Sequence, residues 1–80
     1  MSSRNKIIAC VVEPGQYNGT NEVKFISEKG YIGGVCVDTV ISATVTGDTV
    51  NIICESQQSK QRWMNVYDAY TGRQINVIPV

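Results

Sequence analysis

Hydrophobic and polar residues alternate along most of this chain with the period of a β-strand, and turn-forming residues interrupt the alternation every few positions. Pro14-Gly15, Asn18-Gly19, Glu28-Lys29-Gly30, Gly33-Gly34, Gly47-Asp48 and Thr71-Gly72 divide it into short segments. That spacing predicts an antiparallel meander of about five to six strands.

The strongest local signal is Gly47-Asp48, because a two-residue loop with Gly first suits a type II′ hairpin. Pairing Thr46 with Thr49 sets Val45 against Val50, Ala43 against Ile52 and Ile41 against Cys54, an apolar face throughout. The opposite face pairs Thr44 with Asn51, Ser42 with Ile53 and Val40 with Glu55. A one-residue slip would mix the two faces, so the pattern supports turn and register together. The parity continues back through Thr39, Val37 and Val35, which predicts one long strand from Val35 to Val45. Gly33-Gly34 lies immediately upstream, where a bend or bulge costs least. A long bent strand shared between two sheets is how small barrels close. The expected fold is therefore all-β, residues 1–80 forming one domain closed into a compact barrel or sandwich of the SH3-like or OB-like kind.

Other segments read less cleanly. From Lys6 to Glu13, Ile8, Cys10 and Val12 alternate with Ile7, Ala9 and Val11, so both faces call for burial and the strand is expected to be central or covered. Glu22 to Ser27 points Val23 and Phe25 inward and Glu22 and Lys24 outward. A final hairpin is expected to set Met64 and Val66 against Ile75 and Val77, around Asp68-Ala69-Tyr70-Thr71-Gly72. Gly72 supplies a positive φ there, and Asp68 accepts backbone N–H bonds. That turn resembles the Asp-Ala-x-Thr-Gly turns between strands of propeller blades, a likeness of five residues and one local geometry. Only residues 56–61 could form a helical turn, capped by Ser56.

Composition narrows the function. Eighty residues are enough for one modest core. Seven basic and seven acidic side chains give zero formal net charge, which removes the long-range field that draws domains onto nucleic acid or anionic membranes. The basic residues cluster at the ends, with Arg4 and Lys6 early and Lys60, Arg62 and Arg73 late. The middle carries Glu13, Glu22, Glu28, Asp38, Asp48 and Glu55 against Lys24 and Lys29. No apolar run is long enough to span a bilayer, and Met1 to Lys6 lacks the pattern of a cleaved leader. The three cysteines, Cys10, Cys36 and Cys54, fit reduced thiols in a cytoplasmic protein.

Histidine is absent, which removes the commonest general base and metal ligand. The widely spaced cysteines do not form a zinc knuckle, so no metal, cofactor or catalytic residue is expected and the chain reads as a non-enzyme. Cys10 and Cys54 fall on core-facing positions. Cys36 shares the outward parity of Asp38 and is the one thiol open to reactivity. The remaining excess is aromatic. Trp63 and Tyr67 share a face with Asn65 and are expected to be joined across the hairpin by Ile78, with Arg62, Tyr70 and Arg73 nearby. Such a face is either a second layer of core or a binding surface, since Trp, Tyr and Arg dominate hot spots. The functional expectation is a non-catalytic module that binds a protein partner through Trp63, Tyr67, Arg62, Tyr70 and Arg73. An inhibitor or adaptor acting on a larger partner, of the kind phages encode against host machinery, fits that description. The alternative is a nucleic-acid-binding small barrel in which Trp63 and Tyr67 stack on bases while Lys60, Arg62 and Arg73 contact phosphates. Edge-strand pairing into a homodimer is a further expectation at this size.

Overall fold

A computed structural model of the chain describes residues 5–80; Arg4, one of the early basic residues, lies outside the described part. Six strands follow one another in a single antiparallel sheet whose spatial order is the chain order. They are β1 (Ile7–Pro14), β2 (Thr20–Ser27), β3 (Gly30–Thr46), β4 (Thr49–Glu55), β5 (Arg62–Asp68) and β6 (Gln74–Pro79).

The hairpin at Gly47-Asp48 forms as expected. Thr46 pairs with Thr49, Val45 with Val50 and Ala43 with Ile52. Gly47 has φ 58°, while Asp48 is not among the residues of positive φ, the signature of a type II′ turn. Ser42 still pairs with Ile53, and beyond it the register slips. A bulge between Val40 and Ser42 sets Val40, rather than Ile41, against Cys54 and sets Thr39 against Glu55. Ile41 consequently turns to solvent at 45% exposure. A second irregularity falls at the anticipated glycines, where Phe25 pairs with Gly33 and Ile26 with Tyr31, leaving Ile32 as the extra residue. Gly33 adopts φ 129° there, a conformation that L residues avoid.

The sheet does not close, and this corrects the expected barrel or sandwich. β3 runs for 17 residues and changes partner along its length. Gly30 to Asp38 pair with β2 and Thr39 to Thr46 with β4. The two neighbours therefore lie on opposite edges and at opposite ends of β3, which offsets the sheet's halves instead of bringing them into register. β1 and β6, the strands that would have to pair in a barrel, form no ladder with each other. Drawn straight at about 3.3 Å per residue β3 would span about 53 Å, more than the longest of the molecule's extents of 48 × 24 × 15 Å, so the strand is bent. The radius of gyration is 12.7 Å, against about 11.6 Å for a compact chain of this size. Alternation of apolar and polar residues is the same in an open sheet as in a closed one, which is why the sequence pattern suggested closure.

Three smaller expectations also change. β1 is an edge strand rather than a central one: Ile7 is buried and Cys10 packs against the core, but Ile8, Val11 and Val12 are exposed. In the last hairpin Met64 pairs with Ile78, Val66 with Asn76 and Asn65 with Val77. Ile78 thus sits across from Met64, away from the Trp63 face, and every residue of β6 is exposed. Residues 56–61 form a hydrogen-bonded loop without a helix, closed by Ser56 N–H donating to Gln61 O at 2.9 Å.

One cluster of side chains joins the two halves. Val23 and Phe25 of β2, Val50, Ile52 and Cys54 of β4, Tyr67 of β5, Ala69 and Ile7 are all buried in it. The edge of one ring meets the face of another where Phe25 and Tyr67 pack, with centroids 5.6 Å apart at 60°. Ala69 fastens the same end. Its N–H donates to Asp48 O at 2.8 Å, and its carbonyl accepts Ile7 N–H at 2.7 Å. Asp68 Oδ1 accepts the N–H groups of Tyr70 (2.8 Å) and Thr71 (3.0 Å), as its position in the turn implied.

Candidate functional site

The point where β3 changes partner leaves an open cleft of about 590 Å³ across the sheet. Cys36, Val37 and Asp38 come from that point on β3. Trp63, Asn65 and Tyr67 come from alternate positions of β5, with Cys54, Gln74, Val77 and Thr20 completing the lining. Their convergence follows from the ladders: Cys54, Trp63 and Pro79 lie in one cross-strand row, and Ile52, Asn65 and Val77 in the next. Period-two alternation then turns Trp63, Asn65 and Tyr67 to the same side.

The two aromatics play different parts. Tyr67 is 5% exposed and belongs to the core, whereas Trp63 keeps 38% of its surface in solvent. Burial raises the Tyr67 phenol above its ordinary pKa, so it stays protonated at neutral pH. A polar row crosses the cleft from β4 to β6. Asn65 Nδ2 donates to Cys54 Sγ at 3.6 Å, and Gln74 Nε2 donates to Asn65 Oδ1 at 3.2 Å. These bonds fix the Asn65 amide against the sheet and leave Asp38 as the carboxylate of the lining.

Arg62, Tyr70 and Arg73 lie outside the lining. Arg62 starts β5 and donates from Nε to Glu55 Oε1 at 2.9 Å. Tyr70 lies in the β5–β6 turn and Arg73 follows it, exposed. Cys36 and Asp38, which the sequence singled out as outward-facing, are joined to the aromatic face by the partner change on β3. No local pattern announces that junction.

The sequence pairing also missed a charged cluster on the β1–β2 ladder, where Glu13 lies directly across from Glu22. Lys24 Nζ bonds Glu13 at 2.8 Å. Its pKa is raised first by that hydrogen bond and then by the Glu13 and Glu22 charges. Lys24 also approaches the Tyr31 ring at 5.9 Å. The ammonium thus relieves a like-charge pair that would otherwise weaken the ladder.

The three thiols differ in a way that can be measured. Cys36 is exposed, Cys10 half-buried and Cys54 buried. Burial raises the Cys54 thiol, an effect partly opposed by the Asn65 hydrogen bond, and it raises Cys10 as well. Because the thiolate is the reacting form, a raised pKa lowers reactivity at a given pH. Alkylation of the folded protein at pH 8 should label Cys36 first and Cys54 last, with denaturant abolishing the order. Peptide mapping by mass spectrometry reads the result, and equal labelling of Cys36 and Cys54 would contradict the assigned burial.

The chain matches no protein-family model, and no curated protein or solved structure resembles it.

Proposed function

We propose that the protein is a non-catalytic binding module whose cleft receives a segment of a protein partner. The observation that carries this reading is Trp63, a large aromatic left 38% exposed in a concave site beside Val77 and Asp38. An apolar wall with a few convergent polar groups is the usual composition of a binding pocket. Tyr67, on the same face of β5, is held in the core, so that part of the lining is pre-organised and loses little entropy on binding.

A protein segment suits the cleft better than nucleic acid does. The lining offers the Asp38 carboxylate and no cation, and Arg62 is engaged by Glu55. A phosphate backbone would be repelled by the former, and the latter partly neutralises the one cation at the start of β5. An apolar side chain seated on Trp63 and Val77, next to a donor or cation facing Asp38, satisfies every group named. Catalysis is disfavoured because the Cys36 thiol has no histidine anywhere in the chain to serve as its base.

Trp63 is the single tryptophan, so its fluorescence reports occupancy directly. Peptides selected from a displayed random library should quench or shift that emission. In a fluorescence-independent assay, their affinity for Trp63→Ala should fall by about 30-fold, the effect of losing a hot spot of about 2 kcal/mol. The variant should keep its β-sheet circular dichroism, because the side chain is partly exposed. Selected peptides that bind Trp63→Ala undiminished would remove the cleft from consideration. Salt-sensitive binding of single-stranded oligonucleotides, lost in Trp63→Ala, would favour the nucleic-acid alternative instead.

A further inference from the structure

We propose that the outer edge of β1 is a self-pairing interface, through which two copies of the chain join antiparallel about a two-fold axis at Val11. The inference goes beyond the cleft, to which β1 contributes no residue.

The hydrogen-bond parity of β1 settles which backbone groups face outward. Gly15 N–H donates to Thr20 O at 2.9 Å, and Glu13 O accepts Asn21 Nδ2 at 3.0 Å, so both residues address β2. Alternation then turns Cys10, Val12 and Pro14 to the free side. Pro14 fits there because it has no N–H to lose from the ladder. Ile7, before the bulge at Ile8, also faces outward, and Ala69 O takes its N–H at 2.7 Å. Among the described residues no hydrogen bond engages the outward groups of Cys10 and Val12.

The opposite edge of the sheet is protected over the last part of β6. Val80 N–H donates to Arg62 O at 3.1 Å, so Ile78 and Asn76 also point to β5 and, over Asn76–Pro79, the outward residues of β6 are Pro79 and Val77. Pro79 has no N–H, and the Val77 N–H is taken at 2.9 Å by Oδ1 of Asn76. Proline and a side-chain cap are devices that keep an edge from pairing, and β1 carries neither between Ile8 and Glu13.

A second copy of β1 complements this edge. In an antiparallel register about Val11, Cys10 faces the partner's Val12 and Val12 faces the partner's Cys10, each pair exchanging two N–H···O bonds. All four outward groups of Cys10 and Val12 are then satisfied. Val11 meets the partner's Val11 in the close, non-hydrogen-bonded position, and Ala9 meets the partner's Glu13. No like charges are placed opposite one another. The residues Ile7 to Val12 carry no charge, and the chain's net charge is zero, so no long-range repulsion opposes approach. Ile8, Val11 and Val12, exposed by 53%, 43% and 43%, supply the apolar area that pairing covers.

Sedimentation equilibrium of the full chain over a concentration series tests the proposal. The expected mass rises toward twice 8.8 kDa. Val12→Pro removes an outward N–H without touching the β1–β2 ladder, and Val11→Lys sets two ammonium groups face to face across the axis. Each should return the protein to monomer mass, and Val11→Lys decides the matter should the proline variant unfold. In a Cys36→Ser background, Val11→Cys should form a disulfide-linked dimer under mild oxidation, since the paired Cα atoms would be about 4.5 Å apart. A native chain that stays monomeric up to its solubility limit overturns the proposal. So does a dimer that persists unchanged in Val11→Lys.

Discussion

Replacing Phe25 by alanine should lower the unfolding free energy by about 4 kcal/mol, within the range measured for removing a buried aromatic. The ring is 3% exposed and packs edge-on against Tyr67, tying β2 in one half of the sheet to β5 in the other. The β5–β6 turn lies over the same ring: a Cβ placed on Gly72 would stand 3.8 Å from Phe25 Cδ2. The deletion therefore opens a void bounded by both halves, and neither half can move in to fill it without shifting β3. A chain of this length has about 4–12 kcal/mol of total stability, so the variant should be partly unfolded at 37 °C. Phe25→Leu keeps most of the volume and should cost about 1.5 kcal/mol. Urea titration followed by circular dichroism and by Trp63 fluorescence measures both. The two probes report different regions, so coincident transitions would show that the halves unfold as one unit. A loss below about 1 kcal/mol for Phe25→Ala would mean that the halves do not depend on this contact.

The Gly47-Asp48 hairpin was legible because its turn chemistry and its first pairs are local. The bulge at Ile41 was not, because an extra residue in a run of β-branched side chains changes parity without changing residue type. β1 looked buried since both of its faces are apolar. Whether a strand is central or at the edge depends on sheet order, and Pro14 was the one residue whose chemistry pointed to an edge. Of the cleft, the Trp63, Asn65 and Tyr67 stripe was readable from alternation along β5 alone. Its meeting with Cys36 and Asp38 was not, because it depends on where along β3 the pairing passes from β2 to β4.

Gly34→Ala should cost about 3 kcal/mol, near the upper end for forcing extra volume into a packed site, and its cause is the backbone of β2. A Cβ at this position would collide with the carbonyl oxygen of Val23 and lie 3.1 Å from the Cα of Lys24. Neither atom belongs to a flexible side chain, so the β2–β3 ladder itself would have to part. The parting would fall next to Val23, which is fully buried, and to Phe25, which pairs with Gly33. Gly33 makes the informative contrast. A Cβ there meets nothing within 4 Å, but its φ of 129° lies where an L side chain is strained. Gly33→Ala should therefore cost about 1–2 kcal/mol through backbone strain alone, while leaving the packing of Val23 intact. Hydrogen exchange separates the two mechanisms. Gly34→Ala should speed exchange of the amides shared by β2 and β3 well beyond the global change in stability, whereas Gly33→Ala should lower protection evenly. If Gly34→Ala proved as mild as an ordinary surface change, within about 0.5 kcal/mol, the close approach of β2 to β3 that fixes the start of the long strand would be wrong. The position of Cys36 and Asp38 in the cleft would then have to be reconsidered, because both are carried by the strand that this approach holds in place.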